Sequence, residues 1–365
     1  MWHILGEDLI KAIKSFLKSG RLLKELNHTS ITLVPKVQNP SKLNEFRPIS
    51  CCNIIYKCIS GILAKRLKAL LPKHIDQAQT TFIPRRNISD NILIAQEILR
   101  NYHRGDTTSR FVVKVDLFKA FDTLNWSFLL DLLYKLGFPP KFVGWIRECI
   151  TTPKFSVNIN GELVGFFWSS RGLRQGDPIS SYLFVIAIDA LSMLIHKRVD
   201  SDNSFKYHWR CERTKLTHLC FADDLMIFCG NSIQSATTLQ LALHEFSNLS
   251  GLIPNKSKSN TFVAGNNIDF KNIILSLFEY DEGTLTVRYL GAPLITTKLS
   301  TSDCKPLIND ITSIIKSWTS RFLSFAGRLQ LIQSVIYNIQ SFWNGLFILP
   351  KKVLKQVEQI MRKSL

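Results

Sequence analysis

One pair of adjacent carboxylates, Asp223-Asp224, most constrains how this chain folds. The sequence contains three acidic dipeptides, but only this one has apolar, strand-forming residues on both sides, LCFA before it and LMIFC after it. The segment LTHLCFADDLMIFCG, residues 216–230, therefore predicts a β-hairpin. Both carboxylates are expected at the tip of that hairpin, which is otherwise buried.

Two interpretations explain the paired carboxylates. Like charges held this close repel each other and shift each other's pKa values unless a cation neutralises them. A divalent metal that prefers oxygen ligands, such as Mg²⁺, is the natural partner. The alternative is that a polar hairpin turn simply requires Asp. The dipeptide alone does not separate the two.

A second predicted strand also carries a carboxylate. FVVKVDLF, residues 111–118, contains alternating β-branched and aromatic residues, and Asp116 interrupts it just before it turns. Asp116 either faces solvent beside Lys114 or joins Asp223 in one metal site. Two metal ions held by such carboxylates activate an attacking hydroxyl and stabilise a leaving phosphate, which indicates a nucleic-acid polymerase or nuclease. Asp122 is predicted to cap a helix that begins near residue 123.

An excess of positive charge favours a polyanionic partner. The 365 residues include 46 Lys and Arg against 28 Asp and Glu, a formal net charge of +18. Such an excess is typical of nucleic-acid-binding proteins. It is uneven, because residues 1–73 hold 13 Lys and Arg against 4 Asp and Glu. A basic protein of the membrane surface is the competing interpretation.

No segment predicts membrane insertion or secretion. The most apolar one, residues 183–195, is shorter than the roughly 18 residues that a spanning helix needs, and it contains Asp189. The amphipathic N-terminus carries Glu7 and Asp8, unlike a signal peptide. The eight cysteines form no C-x-x-C pair, so buried thiols are expected rather than zinc sites or disulfides. We expect a protein of the nucleus or cytoplasm without a membrane partner.

Helices and hairpins alternate in a way that favours an α+β fold over a doubly wound parallel sheet. Residues 28–36 predict a strand or extended segment, and residues 155–168 predict a hairpin that turns at an Asn-Gly pair. The predicted helices lie before residue 28, at 53–71, 89–103, 126–150 and 233–250, after Pro178, and through the C-terminal third. Pro72 is expected to end the second of these, and Ser89 or Asp90 to cap the third.

Three segments carry a family resemblance, FVVKVDLFKAFDTLNW, SRGLRQGDPISSYLF and LCFADDLMIF. In order and spacing they resemble three central motifs of the reverse transcriptases of non-LTR (LINE-type) retrotransposons, particularly the plant lineages. The likeness extends to ITLVPK, FRPIS and IYKCISGILAKRLK upstream, and to SGLIPNKSKS, RYLGAPL and SWTSRFLSFAGRLQLIQSVI downstream.

The resemblance implies the right-hand polymerase fold, with fingers, palm and helical thumb and an antiparallel palm sheet. It assigns an N-terminal extension and the fingers to residues 1–110. The palm, with interleaved fingers elements, is expected at 111–265, and a connection with a truncated helical thumb at 266–365.

The resemblance also implies catalytic residues. Asp116, Asp223 and Asp224 match the catalytic carboxylates that bind metal, with Asp224 in a supporting role. The implied metal is Mg²⁺, with Mn²⁺ as the alternative. Phe121 matches the steric gate, a bulky ring under the sugar that excludes a ribose 2′-hydroxyl. A core aromatic residue at a strand-to-helix turn is the other interpretation of Phe121.

Further residues match substrate-binding positions. Gln175 and Gly176 are expected by resemblance against the template and the nascent base pair, although both also suit the start of a helix. Lys258 matches the palm lysine best, with Lys256 as the second candidate. As a general acid, this lysine would protonate the departing pyrophosphate. A solvated lysine in a polar loop is the alternative. Arg86 and Arg47 are candidates for contacts with the triphosphate or the nucleic-acid backbone.

A basic helix face is expected to hold the template. Lys57, Lys65 and Arg66 lie on the polar side of the predicted helix 53–71 and would bind RNA electrostatically. The implied partners are therefore an RNA template, a DNA primer and dNTPs.

The chain departs from the family pattern in several respects, one of them Ser181, where the family commonly has proline. Arg85 stands where the family usually has a turn glycine, and the loop is strained if the φ angle of Arg85 is positive. No segment matches the endonuclease domain, the Cys/His segment or the RNase H domain of complete elements. We therefore expect the polymerase portion of such an element, with the endonuclease domain absent from this chain.

The leading hypothesis is an RNA-directed DNA polymerase that extends a DNA primer on an RNA template by two-metal nucleotidyl transfer. One alternative is an inactive nucleic-acid-binding remnant of such an element, which the intact carboxylates disfavour. The other is an intron-type maturase, which requires an additional basic appendage after the thumb.

Overall fold

The structure is a computed structural model that describes residues 2–102, 108–285, 287–319 and 323–365. The α-helices are α1 (Trp2–Ser19), α2 (Ile54–His74), α3 (Ile88–Leu99), α4 (Ala120–Thr123), α5 (Trp126–Lys135), α6 (Pro140–Thr151), α7 (Ser180–Asp200), α8 (Ile233–Ser250), α9 (Ile268–Phe278), α10 (Lys305–Thr319), α11 (Phe325–Leu331), α12 (Tyr337–Leu346) and α13 (Lys351–Ser364). The strands are β1 (His28–Pro35), β2 (Phe46–Cys52), β3 (Arg110–Asp116), β4 (Lys154–Ile159), β5 (Glu162–Trp168), β6 (His218–Phe221), β7 (Asp224–Cys229), β8 (Asn260–Ala264), β9 (Asp281–Glu282), β10 (Arg288–Tyr289) and β11 (Ala292–Pro293).

The described residues form two compact units, each built from several stretches of the chain. The first unit contains the chain up to Arg86, Arg110–Thr261 and Ile268–Asp281, and the second contains Asn87–Ser109, Phe262–Asn267 and Glu282–Leu365. The predicted division into fingers, palm and thumb follows the chain in consecutive blocks. It stays a prediction.

A four-stranded sheet in the first unit has the order β2–β1–β4–β5. β1 pairs antiparallel with β2 and parallel with β4. β4 and β5 form the predicted hairpin, in which Asn160 and Gly161 have φ angles of 52° and 94°. The tight two-residue turn requires positive φ at both positions, and Asn-Gly is the pair that adopts it most readily.

The second sheet has the order β6–β7–β3–β8–β9. β7 pairs antiparallel with both β3 and β6. β3 is buried at residues 110–113, of which 111–113 are apolar, and Lys114 and Asp116 are half-buried. Helices and antiparallel pairs thus occur together in the first unit, which confirms the predicted α+β class.

Two helix boundaries in the first half of the chain differ from the prediction. α2 continues past Pro72 to His74. Pro72 lacks the N–H that would bond to the carbonyl of Lys68, but Lys68 is exposed, so water can satisfy that carbonyl and the last turn is kept. The predicted helix from residue 89 to 103 is shorter, because α3 ends at Leu99; residue 103 lies outside the described residues.

The predicted caps at Ser89 or Asp90 and at Asp122 were wrong. The backbone N–H of Asn87 donates to the Asp90 carboxylate at 3.3 Å, which makes Asn87 the cap and Asp90 the third residue of the helix. Asp122 lies inside the one-turn helix α4, and Asn125 caps the next helix, α5, through its side-chain oxygen. The observed cap of α3 therefore lies two residues before Ser89, whereas the observed cap of α5 lies three residues after Asp122.

The second unit contains the helical C-terminal region that the sequence predicts. α11 runs through a π-helical turn, Ile332–Ile336, into α12. A short antiparallel pair, β10 with β11, precedes these helices. Buried Ile311 and Val357 belong to the apolar core of this unit.

The helices and the cysteines bear on the predictions about membrane insertion and disulfides. Within the described part of the chain, each helix is too short or too polar to cross a lipid bilayer. All eight cysteines are free thiols, and six of them are buried, as predicted.

Candidate active site

Antiparallel strand pairing brings the three predicted carboxylates together. Asp116, the last residue of β3, lies directly opposite Asp224, the first residue of β7. Across the β6–β7 hairpin Phe221 pairs with Asp224, so Ala222 and Asp223 form the turn. Residues more than a hundred positions apart in the sequence therefore meet at one end of the sheet.

The hairpin turn contains a strained residue. Ala222 has a φ angle of 53°, in the left-handed region that glycine prefers. An L-residue in this region costs about 1–2 kcal/mol, and the surroundings must hold it there. The strained position directly precedes Asp223, so the conformation of Ala222 sets the direction of the Asp223 side chain.

A cleft of about 1040 Å³ opens at the carboxylates. We call it the carboxylate cleft. Among the described residues, its lining includes Asp116 and Asp223 but not Asp224. Other side chains that line it and bear on the chemistry are Lys36, Arg47, Lys119, Phe121, Gln175 and Lys258. Four of the predicted substrate-contacting and nucleic-acid-contacting residues thus share one cleft with two predicted catalytic residues.

Burial and mutual repulsion raise the pKa values of the hairpin carboxylates. For Asp223, burial raises the pKa most, Asp116 adds to the rise, and Lys258 opposes it. Burial raises the pKa of Asp224 to about 6, with Lys114 opposing and the other two carboxylates adding. The site is thus rich in negative charge that favours a bound cation.

Lys258 lies beside Asp116 on the rim of the cleft. Its Nζ is 4.0 Å from the Asp116 Oδ2, and its side chain is 69% exposed. This position leaves the ammonium group free to reach a ligand in the cleft. Lys256, two residues earlier, forms an ion pair with Glu279 instead.

Two neutral residues of the same loop hold Asp116, and neither was predicted. The backbone N–H of Asn255 donates to the Asp116 carbonyl at 2.7 Å, and the Asn255 Nδ2 donates to Asp116 Oδ2 at 3.4 Å. The Asp116 N–H donates to the Ser259 Oγ at 3.2 Å. The motif NKSKS was interpreted for its lysines only, although Asn and Ser at its ends are the residue types that bond to backbone and carboxylate groups.

Phe121 both packs against the core and faces the cleft. Its ring stacks on the ring of Phe184, with centroids 4.7 Å apart and planes at 20°. Phe121 also lines the carboxylate cleft. Its two interpretations, core aromatic and steric gate, are therefore compatible with each other, and the gate role stays a prediction.

The loop before α7 is bonded to the segment that carries Phe121. The N–H of Leu173 donates to the Phe121 carbonyl at 2.6 Å, and the N–H of Gly172 donates to the Leu124 carbonyl at 2.8 Å. Gly172 has a φ angle of 87°, and a Cβ there would lie 2.6 Å from the Asp122 carbonyl oxygen. Only glycine fits this close approach.

Gln175 and Gly176 lie against strand β2. The N–H of Ser50 donates to the Gln175 carbonyl at 2.8 Å, which leaves the Gln175 side chain to line the cleft. Gly176 has a φ angle of 105°, and an added Cβ would lie 3.1 Å from the Ser50 carbonyl oxygen. The expected start of a helix at these residues is displaced, since α7 begins at Ser180.

A buried ionic cluster next to this loop was not predicted from the sequence. The Arg174 guanidinium lies 3.3 Å from the Asp177 carboxylate and 3.9 Å from the centre of the Tyr56 ring. The Tyr56 hydroxyl donates to Asp177 at 2.5 Å, and Arg174 also donates to Asn27 and Thr29. These contacts fasten the loop to α2 and β1.

The remaining predicted residues lie outside the carboxylate cleft. Arg86 donates to the carbonyls of Ile75, Asp76 and Gln79, so its guanidinium is bonded to the protein backbone. Its neighbour Arg85 has a φ angle of 68°, which bears out the expected strain at the glycine position.

The basic side chains of α2 are exposed. Lys57 and Lys65 point into solvent, and the Arg66 guanidinium lies 5.5 Å from the centre of the Trp145 ring. These three residues form a basic helix face whose contact with nucleic acid stays a prediction.

The oxygen donors of the cleft fit a divalent cation whose coordination is completed by substrate. Among the residues that the structure describes, no three His, Cys, Asp or Glu side chains converge to hold a metal ion by themselves. Asp116 and Asp223 nevertheless offer carboxylate oxygens to the same cleft. Mg²⁺ commonly binds through one or two protein carboxylates together with substrate phosphates and water.

Comparison with known proteins identifies related sequences. The family model described as "Reverse transcriptase (RNA-dependent DNA polymerase)" matches residues 34–294. The retrovirus-related Pol polyprotein from type-2 retrotransposable element R2DM of Drosophila melanogaster is 26% identical over 68% of this chain and 22% of its own length. The transposon TX1 uncharacterized 149 kDa protein of Xenopus laevis is 29% identical over 54% of this chain and 15% of its own length. The chain thus spans less than a quarter of the length of these relatives.

A solved structure shows the same fold. The telomerase of Candida tropicalis, in complex with a TWJ fragment of telomeric RNA, aligns with a TM-score of 0.51 and 13% identity, covering 100% of this chain and 57% of that chain. At this level of identity the similarity bears on the fold alone. It confirms the predicted right-hand polymerase fold.

Proposed function

Because the chain belongs to the reverse transcriptase (RNA-dependent DNA polymerase) family, we propose that it extends a DNA primer on an RNA template by adding dNTPs. The observation that carries this proposal is the shared cleft of Asp116 and Asp223, which come from separate strands. We further propose that the chain is the polymerase portion of a non-LTR retrotransposon of a plant lineage that acts in the nucleus or cytoplasm. Phylogenetic placement of residues 34–294 tests the lineage.

Asp116 and Asp223 would hold Mg²⁺, or Mn²⁺ in its place, and Asp224 would support them from the position on β7 that is paired with Asp116. When bound, the metal supplies the positive charge that acidifies the primer 3′-hydroxyl and neutralises the triphosphate. Asn255 and Ser259 keep Asp116 in place through the hydrogen bonds described above.

The cations of the cleft would bind the triphosphate. Arg47, Lys36 and Lys119 line the same cleft as the carboxylates, and Arg is suited to bidentate contact with phosphate oxygens. Lys258 would donate the proton from its Nζ to the departing pyrophosphate oxygen as a general acid. Arg86 is left out of this set because its guanidinium is bonded to three backbone carbonyls.

The opposite wall of the cleft would recognise the sugar and the base pair. Phe121 would lie under the sugar and exclude a 2′-hydroxyl, held in place by its stacking on Phe184. Gln175 and Gly176 would lie against the template and the nascent base pair. The basic face of α2, Lys57 with its neighbours in the helix, would hold the RNA backbone.

Primer extension on an RNA template with Mg²⁺ and dNTPs tests the proposed function. We expect the wild-type chain to extend the primer and Asp223→Asn to lower the rate by more than about 100-fold, since it removes a carboxylate that would hold the catalytic metal ion. Asp131→Asn, an equal loss of charge at an exposed position of α5, is the matched control and should leave the rate unchanged.

Equal extension by the wild-type chain and Asp223→Asn would overturn the assignment of the site. RNA binding without any extension by the wild-type chain would instead support the inactive remnant.

A further inference from the structure

A short segment packs along the outer side of the hairpin that carries Asp223. The N–H of Cys220 donates to the Ala78 carbonyl at 2.8 Å, and the N–H of Thr80 donates to the Cys220 carbonyl at 3.2 Å. Gln79 forms an isolated parallel bridge with Cys220. Residues 78–80 thus form a short extra segment at the edge of the sheet, beside β6.

The Gln79 side chain reaches the hairpin turn from this segment. Gln79 is fully buried, and its Oε1 accepts from the N–H of Thr81 at 3.0 Å and from the N–H of Ala222 at 3.4 Å. Its Nε2 has no hydrogen-bond partner among the described residues. The amide oxygen is therefore the part of the side chain that the fold uses.

The backbone of Gln79 is itself fixed. Arg86 donates from Nη1 to the Gln79 carbonyl at 2.5 Å and from Nη2 to the Ile75 carbonyl at 2.9 Å. The guanidinium is half-buried, and burial lowers the pKa of Arg86 from its usual value. A bonded arginine on one side and the edge of β6 on the other leave Gln79 little freedom to move.

We propose that Gln79 is a positioning residue for the Asp223 turn. Its Oε1 holds the N–H of Ala222, the residue with the strained φ angle of 53°, and so fixes the direction in which Asp223 leaves the hairpin. This inference rests on the proposed function, because the consequence of a misdirected Asp223 is a slower polymerase. Gln79 does not line the carboxylate cleft, so it acts through the turn and not on substrate.

Substitution of Gln79 separates positioning from binding. Gln79→Met keeps the size of the side chain and removes the acceptor, and we expect kcat to fall by about tenfold, since small displacements of a reacting group carry large rate effects. The KM for dNTPs should stay within about twofold, because the cations of the cleft are untouched. Gln79→Glu keeps an acceptor oxygen in either protonation state and should restore at least about half of the rate.

Gln77→Met is the matched control for this series. It makes the same replacement two residues earlier, at an exposed position of the same segment. Its kcat and KM should equal those of the wild-type chain. A Gln77→Met variant as slow as Gln79→Met would overturn the proposal.

A double-mutant cycle with Ala222→Gly tests whether Gln79 acts through the strained residue. Glycine adopts positive φ without strain, so the turn keeps its shape with less support. We expect the loss caused by Gln79→Met to shrink to about threefold or less in the Ala222→Gly background. Equal losses in both backgrounds would contradict a route through Ala222.

Hydrogen exchange gives a readout that does not depend on polymerase activity. In Gln79→Met, amides of the peptide that contains Ala222 should exchange at least about tenfold faster, while amides at the centre of β3 keep their protection. Faster exchange throughout the sheet, or none at the turn, would overturn the positioning role. If the wild-type chain extends no primer, the proposed function fails, and hydrogen exchange still decides whether Gln79 holds the turn.

Discussion

At the scale of single residues, Phe121 is expected to set the preference for deoxynucleotides. Its ring lines the cleft and packs against the ring of Phe184, which restricts its movement away from a 2′-hydroxyl in the cleft. Phe121→Val shortens the side chain and opens this space. We expect the ratio of kcat/KM for dNTPs to that for rNTPs to fall by about tenfold or more, measured in single-nucleotide extension.

Phe166→Val is a suitable control, because Phe166 is an exposed aromatic residue of β5 outside the cleft. It should leave the nucleotide preference unchanged. A Phe121→Val variant with normal activity and an unaltered ratio would leave Phe121 as a core residue only.

Arg85 gives a prediction about stability. With a φ angle of 68°, its backbone has a left-handed conformation that costs an L-residue about 1–2 kcal/mol. Arg85→Gly should raise the free energy of unfolding by about 1 kcal/mol, because part of that gain is offset by the greater freedom of glycine in the unfolded chain. Urea unfolding measures the change.

Arg85→Ala separates strain from charge. It removes the guanidinium but keeps the Cβ, so it should bring no increase in stability. A gain equal to that of Arg85→Gly would show that the charge, and not the backbone, was unfavourable.

At the scale of secondary-structure elements, β6 and α7 enclose a histidine that makes stability depend on pH. His218 is fully buried, with Ser192 Oγ 2.8 Å from its Nε2 and Thr217 Oγ1 2.8 Å from its Nδ1. Burial lowers the pKa of His218 to about 4, while Asp76 opposes the shift and His196 adds to it. The folded chain therefore keeps this ring neutral at pH values where the unfolded chain protonates it.

The sign of the effect follows from proton uptake. The His218 ring takes up a proton below a pH of about 6.5 in the unfolded state, but only near pH 4 in the folded state. Its contribution to the free energy of unfolding is therefore complete above pH 6.5 and is lost as the pH falls toward 4. Between pH 6.5 and pH 4.5 this group should remove about 2 kcal/mol from the free energy of unfolding.

His218→Gln keeps polar atoms for Ser192 but does not titrate. Between pH 6.5 and pH 4.5 its free energy of unfolding should therefore fall by about 2 kcal/mol less than that of the wild-type chain. Urea unfolding at both pH values measures it. The exposed His244→Gln is the control and should follow the wild-type chain. An equal fall in His218→Gln and the wild type would contradict the assignment.

Elements with strong local signals were predicted closely. α8 was predicted at residues 233–250 and has those bounds, because Ser232 caps it and Gly251 ends it in the left-handed conformation. β2 was not predicted, because Pro48 interrupts its pattern; the strand forms nevertheless at the edge of its sheet, where a missing donor is tolerated.

In the candidate site too, residues with a local sequence signal were predicted and residues placed by distant contacts were not. A shared metal site of Asp116 and Asp223 was suggested by their places beside apolar strands, and the family resemblance added Asp224 in a supporting role. The contacts of Asn255, Ser259 and Gln79 with the site were not, because they depend on which distant segments pair. A local pattern cannot specify that pairing, and the interleaved stretches of the two compact units show the same limit on a larger scale.

At the scale of the whole molecule, the net charge of +18 should make RNA binding strongly dependent on salt. Each phosphate contact contributes about 0.7–0.9 to the slope of log K against log salt concentration. The combined Lys57→Gln, Lys65→Gln and Arg66→Gln variant should reduce that slope by about 2, as measured by fluorescence anisotropy over a salt titration.

A charge-matched variant tests whether the place of the charge matters. Lys135→Gln, Lys197→Gln and Lys215→Gln together remove the same charge from exposed positions outside the N-terminal region. This variant should keep the wild-type slope. An equal reduction in both variants would mean that only the total charge attracts RNA.

The backbone bonds between the Gly172 loop and Phe121 limit how nucleotide selectivity can be altered by directed evolution. Leu173 bonds to the Phe121 carbonyl, and Gly172 leaves no space for a side chain against Asp122. The backbone of Phe121 is therefore bonded to the loop that carries Gln175, although the two residues lie more than fifty positions apart in the sequence. A library that randomises Phe121 alone samples ring size at a fixed position, whereas joint randomisation with Leu173 and Gln175 also samples where the ring stands.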